Sequence, residues 1–180
     1  MLKLNLGCGK RNFGNDWIHI DGSKYEHIHS HNIVELPFEN DSIDLIYASH
    51  VFEYFDREEC KEVLKNWKRC LKSNGVLRLA VPNFAMYSKL YNEGKIILDQ
   101  CLGPLYGKWK MTDSETLYHK TTYDFESLKK VLEEGGFNNV KLWDWSKTEH
   151  SEYDDYSQSY IPHMDKEDGL LMSLNIECNK

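Results

Sequence analysis

This chain of 180 residues has no long hydrophobic run, no Cys-x-x-Cys and no block of like charge longer than a few residues. Each absence excludes a class. Without about 20 consecutive apolar residues there is no helix to cross a bilayer, and the opening residues do not read as a signal peptide. The five cysteines (Cys8, Cys60, Cys70, Cys101 and Cys178) are odd in number and far apart, which suits small buried apolar groups in a reducing compartment. A cytoplasmic location is the expectation. A net charge of −7 with no basic stripe lacks the footprint of a nucleic-acid binder and argues equally against an anionic membrane surface. Repeats and low-complexity segments are absent too. By length the chain is one domain with room for a hydrophobic core.

Phosphate-binding signatures are also missing, and this matters because the chain opens on a glycine turn. Leu2, Leu4 and Leu6 alternate with the period of a strand, which runs directly into Gly7 and Gly9. Two glycines at the carboxyl end of a first strand permit a sharp turn and leave no Cβ in a ligand's way. A dinucleotide fingerprint requires a third glycine at position 12, where Asn12 stands, and a helix directly afterwards. Only a short Asn/Gly/Asp-rich loop separates Gly9 from the next apolar run, Trp17–Asp21. No Gly-Lys-Ser or Gly-Lys-Thr follows, so a triphosphate loop is excluded as well. Nothing here is built for phosphate.

Further along, a short third strand is predicted around Asn32–Glu35 and a buried one at Ile43–Ala48. Cys60, Val63, Leu64, Trp67, Cys70 and Leu71 form one stripe of a helix over Arg57–Leu71, stopped by Ser73-Asn74-Gly75. Val76–Val81 is the next strand, Phe84–Tyr91 a short helix and 94–120 irregular. Asp124 caps a second clear helix, which buries Phe125, Leu128, Val131 and Leu132 and ends at Gly135-Gly136. Phe137–Trp145 and Leu174–Cys178 are strands. The alternation predicts an α/β, Rossmann-like, mostly parallel sheet. Its last strand follows a long loop without a crossover helix and is expected to run antiparallel.

The ordered set of Asn5-Leu6-Gly7-Cys8-Gly9, His19-Ile20-Asp21, Leu36–Tyr47, Ser49-His50-Val51-Phe52-Glu53, Leu71–Leu77 and Leu132–Phe137 resembles class I S-adenosylmethionine-dependent methyltransferases. The resemblance covers most of the chain and implies a single methyltransferase domain over 1–180, with reduced helices at the N-terminus. It further implies S-adenosylmethionine as cofactor, held by Asn5, Leu6, Gly7, Cys8, Gly9, Lys10, Asp21, Gly22, Asn32, Ile33 and Ser49. Asp21 would take the ribose hydroxyls, since a carboxylate accepts two hydrogen bonds at once. Asn32 would reach the adenine amino group, with Ile33 against the ring. Asn5 and Asn32 stand where acidic residues are usual.

Methyl transfer from a sulfonium needs positioning and, for a hydroxyl or ammonium acceptor, a base. His50, at the end of the fourth strand, and His119, ahead of the second clear helix, are the candidates. Two irregular segments, 94–123 and 146–168, are expected to form the acceptor side, with Tyr106, Trp109, Asp155, Tyr160 and His163 as candidate contacts. Their mix of carboxylates, amides and rings suits a small molecule, and the resemblance hints at a sugar or polysaccharide precursor. The run His27-Ile28-His29-Ser30-His31 offers alternate imidazoles, but no carboxylate or cysteine pattern completes a metal site. An inactive cofactor-binding module acting as sensor or partner is the alternative. A nicotinamide enzyme is disfavoured by the glycine pattern.

Overall fold

Burial of Leu4 and Leu6 at the centre of a sheet anchors the architecture. The computed structural model describes residues 1–111 and 115–180. In chain order the elements are β1 (Lys3–Leu6), β2 (Trp17–Ile20), β3 (Ile28–Ser30), β4 (Ile43–Ser49), α1 (Glu59–Cys70), β5 (Leu71–Pro82), α2 (Phe84–Asn92) and α3 (Leu98–Tyr106). Then follow β6 (Trp109–Lys110), β7 (Thr116–Leu117), α4 (Phe125–Glu134), β8 (Asn138–Leu142), β9 (Tyr160–Ile161), β10 (Leu170–Leu171) and β11 (Ser173–Asn179).

Seven strands form one sheet in the order β3-β2-β1-β4-β5-β11-β8. The pairs from β3 through β5 are parallel, whereas β11 runs antiparallel to both β5 and β8, as the missing crossover helix requires. This is the expected Rossmann-like sheet. Among the described residues no helix is long and apolar enough to cross a membrane.

Strand periodicity then divides the two faces. Ile46 and Ala48 of β4, with Leu77, Leu79 and Val81 of β5, face α1 and α4. Leu45 and Tyr47 face a separate cluster containing Phe13, Trp17 and Trp143, with Trp145 and Tyr153 packed against it. No α-helix occupies the loops that follow β1 and β2. Their place on this face is taken by aromatic rings, with Phe13 stacked on Tyr153 at 4.7 Å and on His150 at 5.6 Å. Residues 143–160 therefore form a strap across the sheet. Its backbone is tied down by Trp143, whose indole donates to the Leu79 carbonyl at 2.9 Å.

Two expectations are corrected. The third strand is Ile28–Ser30, inside the histidine run, because Asn32 folds back to accept from the Val34 and Glu35 amides and begins a turn there. Residues 94–123 are not wholly irregular either: α3 spans nine of them and β6 pairs with β7. Helix α3 buries Cys101 while exposing Leu98, Leu102 and Tyr106, so it lacks the one-sided stripe by which a helix is recognised. At α4, by contrast, Asp124 Oδ1 accepts from the Ser127 amide at 2.9 Å, and Gly136 ends the helix with φ 80°.

Candidate cofactor and acceptor site

The glycine turn after β1 is built by two residues with different tasks. Gly7 (φ 64°) packs against the β4–α1 connection, where a Cβ would fall 2.1 Å from Val51 Cγ2. Gly9 (φ 55°) has no atom within 4 Å of where its Cβ would stand. The first glycine closes the turn and the second opens it. The Gly9 amide donates to Asp21 Oδ2 at 2.8 Å, and Ser23 donates its amide to Asp21 Oδ1 at 2.8 Å. The Ser23 hydroxyl also donates to Oδ1. Asp21 is thereby locked beside the turn, with lone pairs remaining on each oxygen.

Between these elements lies a narrow pocket lined by Asn5, Gly7, Cys8, Arg11, Ser49 and Asp155. Its volume is about 10 Å³, room for about one water. Two polar atoms in its wall, Asn5 Nδ2 and Ser49 Oγ, are buried without any hydrogen-bond partner. Buried polar groups are rarely left so, and such orphans mark where a ligand's polar atoms belong. Cys8 is a neutral thiol, pushed up to about 12 by burial first and by Asp21 second. The pocket is shut by the strap. Arg11 Nε donates to the Asp154 carbonyl at 2.8 Å, its guanidinium lies 5.0 Å from the Tyr156 ring, and Tyr47 donates to Asp155 Oδ2 at 2.6 Å.

Beyond Ser49 the backbone turns through His50, which adopts φ 53°, a region where histidine is among the few tolerated side chains. Its Nε2 lies 3.3 Å from Ser173 Oγ on the antiparallel strand β11, and Tyr156 covers the ring at 5.2 Å between centroids. On the other side its Nδ1 is 3.6 Å from Glu53 Oε1. His119 approaches the same oxygen, with Nε2 at 3.8 Å. Glu53 is 1% exposed and neither of its oxygens has a hydrogen-bond partner. Burial pushes its carboxyl up to about 8. His50 is driven down to about 3, by burial first and then by His119 and Arg11, and burial lowers His119 as well.

Residues 11–79 match the family model described as a methyltransferase domain. A demethylmenaquinone methyltransferase from Staphylococcus haemolyticus is 25% identical over 141 residues, covering 72% of this chain and 57% of that protein. Among solved structures, an S-adenosylmethionine-dependent methyltransferase from Archaeoglobus fulgidus superposes with TM-score 0.60 at 17% identity, over 99% of this chain and 86% of that one. A Burkholderia thailandensis 1,6-didemethyltoxoflavin-N1-methyltransferase, solved with bound 1,6-didemethyltoxoflavin and S-adenosylhomocysteine, gives 0.54 at 11% identity over 99% and 70%. The chain is similar to S-adenosylmethionine-dependent methyltransferases, in sequence over residues 11–79 and in fold throughout. It spans about half the length of the curated relatives it matches.

Against this methyltransferase frame the expected site residues divide. Asn5, Gly7, Cys8 and Ser49 line one pocket together with Asp155, and Gly9 and Asp21 are tied beside it. Leu6 offers only backbone, its side chain being fully buried in the core, and Lys10 is exposed. Gly22 lies under the β6–β7 hairpin, where a Cβ would meet Met111 Cε at 2.7 Å. Asn32 spends its side-chain oxygen on its own turn, and the Ile33 carbonyl accepts from the Trp67 indole at 2.7 Å. That oxygen already accepts two amide protons and the amide nitrogen can only donate, so Asn32 is not set to accept from an adenine amino group as expected.

His50 and His119 are joined across Glu53. His119, however, is enclosed: Nδ1 meets the Pro104 carbonyl at 2.9 Å, Tyr54 packs edge-on at 4.6 Å, and Gly107 leaves space that a Cβ would take from its ring. Tyr106 accepts from the His119 amide through its carbonyl and exposes its ring, and Trp109 is half-exposed on the hairpin. Tyr160 and His163 lie elsewhere, the first accepting from Trp145 in the β9–β10 hairpin and the second exposed in the turn beyond. Sequence reasoning missed Glu53, Arg11, Tyr156 and Ser173. Only Glu53 had a signal, a lone acid after the apolar pair Val51-Phe52.

Proposed function

We propose that this chain transfers a methyl group from S-adenosylmethionine to a small-molecule acceptor with an ionisable hydroxyl or amine. The observation that carries the reading is the pair of orphaned polar atoms, Asn5 Nδ2 and Ser49 Oγ, beside the open glycine turn. An amide and a hydroxyl suit the amino and carboxylate ends of the cofactor, and Asp21 retains acceptor capacity for ribose hydroxyls. S-adenosylmethionine supplies an electrophilic methyl carbon on sulfur, whose C–S bond electrons leave with the sulfur.

The chain's own residues position and dry the site. His50 is the candidate base for the acceptor proton, with Ser173 at its Nε2. Arg11, Asp155 and Tyr156 exclude water from the pocket when the strap is down. Cofactor-sized sites run to hundreds of Å³, so loading requires the strap to lift.

The sugar or polysaccharide acceptor expected from the sequence has no counterpart among the curated relatives compared, which are named for a demethylmenaquinone. An aromatic acceptor is therefore the favoured reading, and the rings of Tyr54, Tyr106 and Tyr156 around the His50–His119 edge are suited to face one. An inactive cofactor-binding module is the second reading, favoured by the small volume of the closed pocket. Calorimetry with S-adenosylmethionine, S-adenosylhomocysteine and NAD tests the cofactor. Release of S-adenosylhomocysteine on a panel of quinols, phenols, amines and sugars then separates the two readings. Binding without turnover on any of them favours the module.

A further inference from the structure

The hydrogen bonds around His50 and His119 determine where their protons sit. His119 Nδ1 faces the Pro104 carbonyl at 2.9 Å, and a carbonyl can only accept. His119 therefore carries its proton on Nδ1 and turns the Nε2 lone pair toward Glu53 Oε1. At His50 the hydrogen-bond network extends one residue further out, through Ser173 to Asn175. Asn175 donates through Nδ2 to the Ser157 carbonyl at 2.9 Å, which fixes its amide with Oδ1 facing Ser173. Ser173 has two acceptors for its single hydrogen, that oxygen at 2.9 Å and the Val81 carbonyl at 3.5 Å; given to the nearer one, it leaves His50 Nε2 only a lone pair. The proton of His50 is thus on Nε2, and its Nδ1 lone pair also points at Glu53 Oε1.

With both rings held neutral by burial, two imidazole lone pairs face one buried carboxyl oxygen from 3.6 and 3.8 Å, and a proton on Glu53 relieves their repulsion with a carboxylate. We infer that Glu53 is a positioning residue that decides which nitrogen of His50 is free to act as a base. This deepens the methyl-transfer reading and rests on it for its catalytic meaning, but the proton arrangement stands by itself. With Glu53 protonated, His50 is N–H at Nε2 and cannot accept there. When Glu53 gives up its proton, the carboxylate draws the His50 proton to Nδ1, and Nε2 becomes the basic nitrogen. A proton taken from the acceptor then lands on Nε2, and the resulting imidazolium is balanced by the carboxylate. The acceptor's freed electron pair forms the new bond to carbon.

Burial lifts Glu53 in the direction this scheme needs, so the exchange falls near neutral to mildly alkaline pH. The groups that face Glu53 are His50, Tyr54, Tyr123 and His119. Arg11 acts on His50 from the far side, and the Lys120 ammonium is turned away onto Glu59 at 2.7 Å. No cation neutralises the carboxylate from nearby, among the described residues.

The test is the nitrogen spectrum of the histidine rings, recorded on the whole protein labelled with 15N-histidine, without cofactor or acceptor, from pH 6 to 9.5. The expected result is that His50 exchanges Nε2–H for Nδ1–H with an inflection near pH 8, with no imidazolium formed near 6.5. Glu53→Gln should remove that inflection and leave one tautomer throughout, while Glu53→Asp should keep an inflection. A His50 that titrates near 6.5, or whose curve is the same in wild type and Glu53→Gln, overturns the inference. The wild-type titration alone can do so should the variants fail to fold. Because no cofactor enters the measurement, its failure is separable from failed binding of S-adenosylmethionine.

Discussion

The hydroxyl of Tyr47, at the centre of the sheet, donates to Asp155 in the strap at 2.6 Å, joining elements 108 residues apart. Both groups are buried, so removing the hydroxyl leaves the Asp155 carboxyl oxygen without its partner. Tyr47→Phe should destabilise the fold by about 1–3 kcal/mol. It should also speed hydrogen exchange of the 150–158 amides and quicken cofactor association. Unaltered exchange there would show that the strap is held by the rings alone.

The two glycines of the turn should behave differently. At Gly7 any side chain meets Val51 and a left-handed backbone together, so Gly7→Ala should lower the melting temperature by several degrees. At Gly9 there is space for a side chain, and the cost is mainly the backbone, about 1–2 kcal/mol. Gly9→Val should fold and lose cofactor affinity at least tenfold in calorimetry. Wild-type affinity in that variant, or in Asp21→Ala, would remove the turn from the cofactor site.

Ser49→Ala discriminates a ligand-directed hydroxyl from a structural one. Its Oγ has no partner in the ligand-free fold, so deleting it should leave the melting temperature unchanged or slightly raised. Cofactor binding should weaken about 3- to 10-fold, the worth of one hydrogen bond. A destabilised variant with normal affinity is the opposite outcome and would assign Ser49 to the scaffold.

Acid should unfold this protein early. Burial holds His50 at about 3 and His19 and His150 at about 4, against 6.5 in an unfolded chain. Below pH 6.5 the unfolded chain binds protons that the folded one refuses, so stability falls with pH. Glu53 works the other way, since the folded chain holds its proton up to about 8 while the unfolded value is 4.5. Its contribution is present below 4.5 and is lost as pH climbs toward 8. Three histidines outweigh one carboxyl, leaving about two protons taken up on unfolding near pH 5. Thermal melts should peak between pH 6.5 and 7. A flat profile from pH 7 down to 5 would mean that these rings are not held neutral.

Much of this was legible from local pattern. The alternation of Leu2, Leu4 and Leu6 and the Asp124 cap formed as read, and the stripe from Cys60 made a helix, but that helix ends at Cys70 and β5 runs through Ser73-Asn74-Gly75 where a stop was expected. The glycine turn and Asp21 were readable as a pair because parallel neighbours β1 and β2 bring their carboxyl ends together. Strand β3 was misplaced by a few residues because its exposed His29 gave the segment the look of a loop. Helix α3 escaped because Pro104 lies inside it and apolar residues cover both its sides. Glu53 showed in the sequence only as a lone acid after Val51-Phe52; its role depends on His119, 66 residues away, and periodicity carries no such information.

The strap has one last consequence. Because the loops after β1 and β2 hold no α-helix, residues 143–160 insulate that side of the sheet and also form the door of the pocket. The same rings are therefore expected to set both heat resistance and the pace of ligand exchange. Variants that pack Phe13, Tyr153 and His150 more firmly should melt later and release product more slowly, so a hotter-running version of this protein would be a slower one.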